Sequence, residues 1–277
     1  MNQPMVRNKP HSRRRRMRFS KILLISALIA FIMLILTVGV MFLLGLRYTS
    51  VPLTDGTSVA FFGWMKNGQM QSGTLYYSGG VTAKYDREAG MMIYSDKGYY
   101  MGEVSGILKN GKGKFTFSNG DTYEGEFAGD LMNGYGTYIT AQGEYYQGNF
   151  KNGQFEGQGK YVWKDGSYYD GYFQNGKKHG QGSSVWADGA SYSGGYVNGL
   201  KEGTGRYVLA SGDIYEGDFK NDMRHGNGTY RWSNGDVYVG ELQNNFMNGK
   251  GTITFASGRV YTGDFENGRI VWGNAAQ

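Results

Sequence analysis

Residues Tyr146–Gly166 read YQGNFKNGQFEGQGKYVWKDG. Tyr146, Gly148 and Phe150 stand at i, i+2 and i+4, so on a strand they share one face. Asn152-Gly153 follows, a tight-turn pair that needs positive φ. Gly157 and Gly159 form a G-x-G step, and Tyr161 and Trp163 continue with period two. Asp165-Gly166 is a second turn signal. The stretch predicts two antiparallel strands with a tight turn between them, then a turn into whatever comes next. A lone hairpin is marginal in water, so its stability has to come from neighbours.

The neighbours are copies. Tyr100, Tyr123, Tyr146, Tyr169, Tyr192, Tyr215, Tyr238 and Tyr261 recur at intervals of 23 residues. Each opens a Y-x-G step, closed by Gly102, Gly125, Gly148, Gly171, Gly194, Gly217, Gly240 and Gly263. Two residues on come Val104, Phe127, Phe150, Phe173, Tyr196, Phe219, Leu242 and Phe265. Asn175-Gly176, Asn198-Gly199 and Asn267-Gly268 repeat the tight turn, and Asn119-Gly120, Asp188-Gly189 and Asn234-Gly235 repeat the second one. The Gly between two rings leaves a gap for an aromatic of the adjacent strand to cover. Stability then comes from stacking one unit on the next.

These residues resemble the MORN repeat, the membrane occupation and recognition nexus motif, Y-x-G-x-[FW]-x-x-G-x-x-x-G-x-G-x-[FY]-x-[FWY]-x-x-G. The resemblance covers 100–277 as eight repeats, the last shortened after Gly268. Weaker copies start at Phe61, with Gly63 and Asn67-Gly68, and at Tyr77, with Gly79, Val81, Gly90, Met92 and Tyr94, so 61–99 reads as degenerate repeats. The fold the resemblance implies is an all-β array: an elongated, twisted, single-layer antiparallel sheet of stacked hairpins. Sixteen strands at about 4.8 Å would make it roughly 70–75 Å long.

Composition agrees. The chain has 277 residues, with 47 Gly, 23 Tyr and 15 Phe but only 3 Pro. Gly without Pro, interleaved with aromatics, excludes collagen and argues against a flexible linker. There is no Cys, hence no disulfide framework and no thiolate chemistry.

The net charge of +6 belongs to one end. Residues 1–46 hold eight basic groups, among them Arg13, Arg14, Arg15, Arg16, Arg18 and Lys21, and no acid. The rest holds the other 21 Lys/Arg against all 23 Asp/Glu, a net of −2. Ile22–Leu46 then runs 25 residues without a charge, long enough to span a bilayer. A membrane span beside the arginines makes them topogenic rather than nucleic-acid-binding. No A-x-A-like cleavage site follows the apolar run, which favours an uncleaved anchor. Eight positive charges before the span, against Arg47 just after it, keep the N-terminus inside. The expected organisation is a basic cytoplasmic tail at 1–21, a transmembrane helix at 22–46, a linker at 47–60, and repeats outside. In a bacterium that is the outer face of the plasma membrane.

Catalytic chemistry finds little footing. His179 and His225 lie two units apart, about 19 Å along the sheet, and read as surface turn residues. Glu103, Glu126, Asp218, Glu241 and Asp264 recur three after the opening tyrosine and should face away from the rings, as a solvated polar row. The glycine pairs are structural, since no P-loop G-K-[ST] accompanies them. No catalytic residue, metal site or cofactor is expected. Trp163, Trp186 and Trp232 are the candidate binding-surface aromatics. The expected function is a non-enzymatic scaffold or adaptor for proteins at the membrane. The alternative is direct binding of an envelope glycan or a phospholipid through an open aromatic stripe.

Overall fold

The structure is a computed structural model that describes residues 12–53 and 56–271. It is an antiparallel strand array preceded by one helix, and it falls into two compact units, 1–88 and 89–277.

In the first unit a helix runs over Ser12–Leu44. Its segment Lys21–Leu44 has 24 residues and a mean hydropathy of 2.9, long and apolar enough to cross a membrane, and no part of it is buried. His11 and the tail before it lie outside the described residues, as do the side chains of Arg13, Arg14, Arg15, Arg16 and Arg18. The helix stops two residues short of the expected span end because Gly45 takes φ +118° and Leu46 is already extended. The stretch 47–60 is therefore no linker. Leu46–Pro52 is a strand that pairs antiparallel with Ser58–Lys66, Tyr48 facing Phe62.

The copy expected at Phe61 falls on a hairpin. Phe61 is fully buried and lies over Gly63 and Gly73, with Asn67-Gly68 turning between their strands at φ 50° and 74°. Its return strand, Gln69–Tyr76, is one residue shorter in phase than the later units. The copy proposed at Tyr77 is not in frame. Tyr77 precedes a single 3₁₀ turn, Ser78–Gly80, and the next strand, Thr82–Asp86, buries Ala83 and Tyr85 instead.

The second unit repeats one hairpin. Tyr145–Lys151 pairs with Gln154–Val162, which pairs with Tyr168–Gln174, and so on in chain order to Val260–Glu266. The tight turns from Gly129-Asp130 onward have both residues left-handed, Asn152 at φ 50° and Gly153 at 81°, the hand that matches strand twist. The second turns use one left-handed residue only, such as Gly166 at φ +85°. Asp165 holds that turn by accepting the Ser167 N–H at 2.9 Å.

The register explains the G-x-G step. Gly148 faces Gly159 and Phe150 faces Phe155, so the return strand carries extra residues between them. Gly157 absorbs that bulge at φ +69°. Gly159 is needed because a Cβ there would collide with the Tyr146 ring. The two glycines of one step are thus required for different reasons, one by backbone conformation and one by contact.

A candidate interaction surface

The glycines at the ring contacts form an unbroken row. Gly148 pairs with Gly136 on one side and Gly159 on the other, and the same pairing runs strand by strand from Gly102 to Gly263. On one face each glycine pair is covered by a tyrosine. The ring does not come from the adjacent strand, as expected, but from two residues earlier on the same strand. Tyr169 lies along its own strand over Gly171 and reaches Gly182 opposite, and its hydroxyl donates to the Tyr172 carbonyl at 2.9 Å. Tyr100, Tyr123, Tyr146, Tyr192, Tyr215 and Tyr238 donate in the same way to the carbonyl three residues on, at 2.6–3.0 Å.

These tyrosines, Tyr169 among them, share one ladder. Central rings stand edge-on to two tyrosines each: Phe173 meets Tyr146 at 5.1 Å and Tyr169 at 5.0 Å, and Tyr196 continues to Tyr169 at 5.2 Å. Edge-to-face contacts at these distances are favourable beyond the area they bury. Tyr100 through Tyr238 are 0 % exposed, so these rings are a core, not an open stripe. Burial pushes the hydroxyl pKa up, to about 12 for Tyr100, Tyr123, Tyr215 and Tyr238, with nearby Glu103 or Glu126 adding to it in the first two.

Trp163, Trp186 and Trp232 stand beyond this ladder at the ends of their return strands and are half-buried. Trp163 packs on Tyr161 at 4.8 Å, Trp232 on Tyr230 at 4.6 Å, and Trp186 on Tyr207 at 5.7 Å. The hydroxyls of Tyr161 and Tyr230 donate to Glu144 and Asp213, both at 2.8 Å, tying each unit to the turn before it. For Asp213 the Ser233 N–H, the larger influence, and that hydroxyl together hold the carboxyl below its usual range.

The opposite face is the accessible one. Where no ring covers the glycine row, it leaves a furrow floored by backbone. One opening of about 750 Å³ lies over Gly171, Gly182, Gly194, Gly205 and Gly217, and another of about 560 Å³ over Gly113, Gly125 and Gly136. Polar side chains such as Asp170, Ser183, Arg206 and Glu216 flank the first. Arg206 and Glu216 are paired at 2.9 Å, as are Lys114 and Glu124 at 3.3 Å beside the second. Exposed pairs of this kind contribute little to stability; they leave a furrow with mixed charge.

The recurrent acids do lie on this face, and three of them brace the backbone. Glu103, Asp218 and Glu241 accept the N–H of Lys112, Asn227 and Lys250 at 3.1–3.3 Å, pinning the bulge. His179 and His225 are not in turns. They sit inside the strands Lys177–Val185 and Met223–Arg231, half-buried, each with Nδ1 buried and without a hydrogen-bond partner. Among the described residues no three His, Asp or Glu converge on one point.

The model of the family described as MORN repeat matches seven successive segments, 100–122, 123–145, 146–168, 169–191, 192–214, 215–237 and 238–258. The chain belongs to the MORN repeat family. The segment from Tyr261 on, expected as an eighth repeat, lies past the matched ones. MORN repeats serve interactions with proteins or membranes. No curated protein matches the chain. Among solved structures it is similar to the SAS-4 (dCPAP) TCP domain of Drosophila melanogaster, in complex with a proline-rich motif of Ana2 (dSTIL). That likeness has 13 % identity over 59 % of this chain and 95 % of the other, with a TM-score of 0.36. A streptogramin B lyase matches with 13 % identity over 79 % and 83 % of the two chains, with a TM-score of 0.16.

Three features escaped the sequence reading. The furrow follows from glycine pairing across every strand, which shows only once the register is known. The tyrosine hydroxyl bond depends on the bulge. The third is a recurring slot nine residues after each tyrosine. It holds Met132, Phe155 and Met247 in three units but Lys109, Lys178, Lys201 and Arg224 in others.

Proposed function

We propose that this MORN protein is a membrane-anchored, non-enzymatic scaffold whose repeats bind other proteins along the furrowed face. The basic tail at 1–21 lies in the cytoplasm, the apolar segment at 22–46 crosses the plasma membrane, and the repeats from 100 on stand outside. The observation that carries this is the continuity of the glycine row. Seven in-register repeats present one long face with an accessible backbone floor, while the tyrosines that open the repeats are spent on the core. The positive charge confined to the N-terminal end supports the orientation.

A pull-down from membranes with the intact protein, repeated on a chain lacking residues 215–237, tests it. Both ends of that cut begin at a Y-x-G, so the repeat frame survives. Partner recovery should fall in steps as further units are removed. Loss of biological activity on changing one side chain, such as His225→Ala, with folding and partner recovery intact, would point to an enzyme. Orientation is tested separately: protease added to wall-stripped cells should digest the repeats, and full protection until lysis would reverse it.

A further inference from the structure

The slot nine residues after each tyrosine has a counterpart 21 residues further on, in the next hairpin's tight turn. In every unit the backbone N–H of that counterpart bonds the slot residue's carbonyl, at 2.8–3.1 Å, so the two positions always touch. Their side chains are matched. Apolar Met132, Phe155 and Met247 face Gly153, Gly176 and Gly268. Basic Lys109, Lys201 and Arg224 face Asp130, Asp222 and Asn245. The oxygen of each of these three counterparts accepts the slot residue's own N–H, at 2.8–2.9 Å. The carboxylates also pair with the ammonium groups, Lys109 with Asp130 at 2.9 Å and Lys201 with Asp222 at 3.3 Å.

Lys178 breaks the rule. Its counterpart is Gly199, which has no side chain to offer. The Lys178 ammonium sits 4.9 Å from the Trp163 ring centre, 4.7 Å from Tyr169 and 5.5 Å from Tyr196. It donates to Ser184 Oγ at 3.1 Å, and that oxygen lies 2.7 Å from the Tyr196 hydroxyl. Among the described residues it has no carboxylate within ion-pair distance.

Two further departures cluster here. Tyr196 stands where neighbouring units have Phe173 and Phe219, and Ser184 stands where they have Tyr161 and Tyr207. A cation and two hydroxyls therefore interrupt the ring ladder where the repeats opened by Tyr169 and Tyr192 meet, and a serine replaces the bulk of a phenol. The site opens only on the side of Lys178 and Trp163, which are part-exposed, while Ser184 and Tyr196 are buried.

We propose that the Lys178 slot is a binding site for a carboxylate carried by an acidic segment of a protein partner, which supplies the counter-charge that Asp130 and Asp222 supply within the chain. The slots of Lys109 and Lys201 show that a carboxylate is the group this geometry accepts. The Lys178 ammonium is its donor, Ser184 Oγ and the Tyr196 hydroxyl, 1 % and 3 % exposed, hold that ammonium from beneath, and Trp163 borders it. Burial, with the nearby Lys201 second, holds the Lys178 pKa down at about 8 against the opposing pull of the Asp222 carboxylate. An arriving carboxylate would raise it. The inference deepens the scaffold reading and rests on it for the identity of the ligand as protein.

Two variants separate ligand binding from folding. Lys178→Met restores the apolar-with-Gly match of Met132 and Gly153. Gly199→Asp fills the slot from within; Asp130 and Asp222 hold the left-handed backbone it needs, at φ 72° and 67°. The probe is a capped hexaglutamate peptide, with hexaglutamine as control, added to the full chain in detergent. Acetylation of each lysine by acetic anhydride is followed by mass spectrometry.

Hexaglutamate should slow acetylation of Lys178 at least several-fold and leave exposed Lys177 unchanged, and hexaglutamine should do nothing. In Gly199→Asp, Lys178 should already be slow and indifferent to the peptide, and the melting temperature should rise. In Lys178→Met, hexaglutamate affinity measured calorimetrically should drop at least tenfold. Equal protection in Gly199→Asp, no protection at all, or protection by an acidic polysaccharide but not the peptide would each overturn the assignment. Capture of a native partner that is unchanged in Gly199→Asp would sink this site and leave the scaffold standing. Hexaglutamate protection without any protein partner would keep the site and sink the scaffold.

Discussion

The hairpins opened by Tyr169 and by Tyr261 begin alike, as Y-x-G-x-F, and end differently. Tyr169 has a full return strand, Lys177–Val185, whose Gly182 completes the floor under its ring. After Tyr261 the described return strand is only Arg269–Ile270, and no glycine of it lies opposite Gly263. Tyr169 is 0 % exposed and bonded to its own strand's carbonyl, whereas Tyr261 is half-buried and reaches Val271 at 3.1 Å. The motif alone does not bury its tyrosine. A neighbour on each side does, which makes stacking the source of stability.

The largest expected effect is collective and belongs to the centre. The buried tyrosines favour the neutral phenol in the folded state, while the unfolded chain ionises near 10.0. Above that pH the unfolded state binds fewer protons, so stability must fall as pH rises. The stability is fully present below pH 10 and is lost on approach to about 12, where Tyr100, Tyr123, Tyr215 and Tyr238 ionise in the folded state. Melting curves from pH 8 to pH 12 should show a steep drop beginning near pH 10. A flat profile across that window would mean the rings are open to water.

Single changes come next. Tyr169→Ala empties a slot walled by Phe173 and Tyr196 and should cost about 3–5 kcal/mol, the range of large aromatic truncations. Tyr261→Ala should cost about half of that or less, because its site is already part-exposed. Chemical denaturation of both variants would erase the distinction if the costs were equal.

In Gly171→Val the new Cβ meets the Gly182 backbone at 2.5 Å and the Tyr169 hydroxyl at 2.6 Å, so neither neighbour can easily withdraw. Overpacking of this kind costs about 1–3 kcal/mol, and the rigid backbone contact places it at the upper end. A Cβ on Gly263 meets only the Tyr261 ring among its nearest atoms, and that ring has room to swing outward. Its melting shift should be clearly smaller.

The smallest contrast is one hydroxyl. Tyr169→Phe leaves the Tyr172 carbonyl without its donor and should cost about 0.5–1.5 kcal/mol. Tyr261→Phe should fall near zero, since the Val271 carbonyl it serves can turn to water. Amide exchange at the Gly171 and Gly182 strands would show the loosening locally.

Much of this could be seen in the amino-acid sequence, for a physical reason. A 23-residue spacing with aromatic and glycine positions in phase forces one hairpin to resemble the next, so the strand order and the Asn-Gly turns followed. What stayed hidden depends on the third dimension. The ring of Tyr169 was expected against the neighbouring strand, yet it lies along its own, because the bulge at Gly180 frees the carbonyl that its hydroxyl needs. The strand Leu46–Pro52 was missed because Arg47, Thr49 and Val51 carry no repeat signal and pair only through backbone. Trp163 and Trp186 were singled out as aromatics. That an ammonium lies against Trp163 and another, Lys201, near Trp186 emerges only when positions 21 apart are seen to touch.

The central claim is that each unit is held by its neighbours and by little else, and deletion of residues 169–191 tests it most directly. The join places Tyr192 after Tyr168 in an unbroken Y-x-G frame, and Phe155 then faces Gly199 where it had faced Gly176, so the slot match is kept. If stability is a sum over neighbouring units, the shortened chain keeps its strand signal in circular dichroism and melts in one transition at a modestly lower temperature. Loss of the strand signal, or separate melting of the segments on either side of the join, would contradict the account.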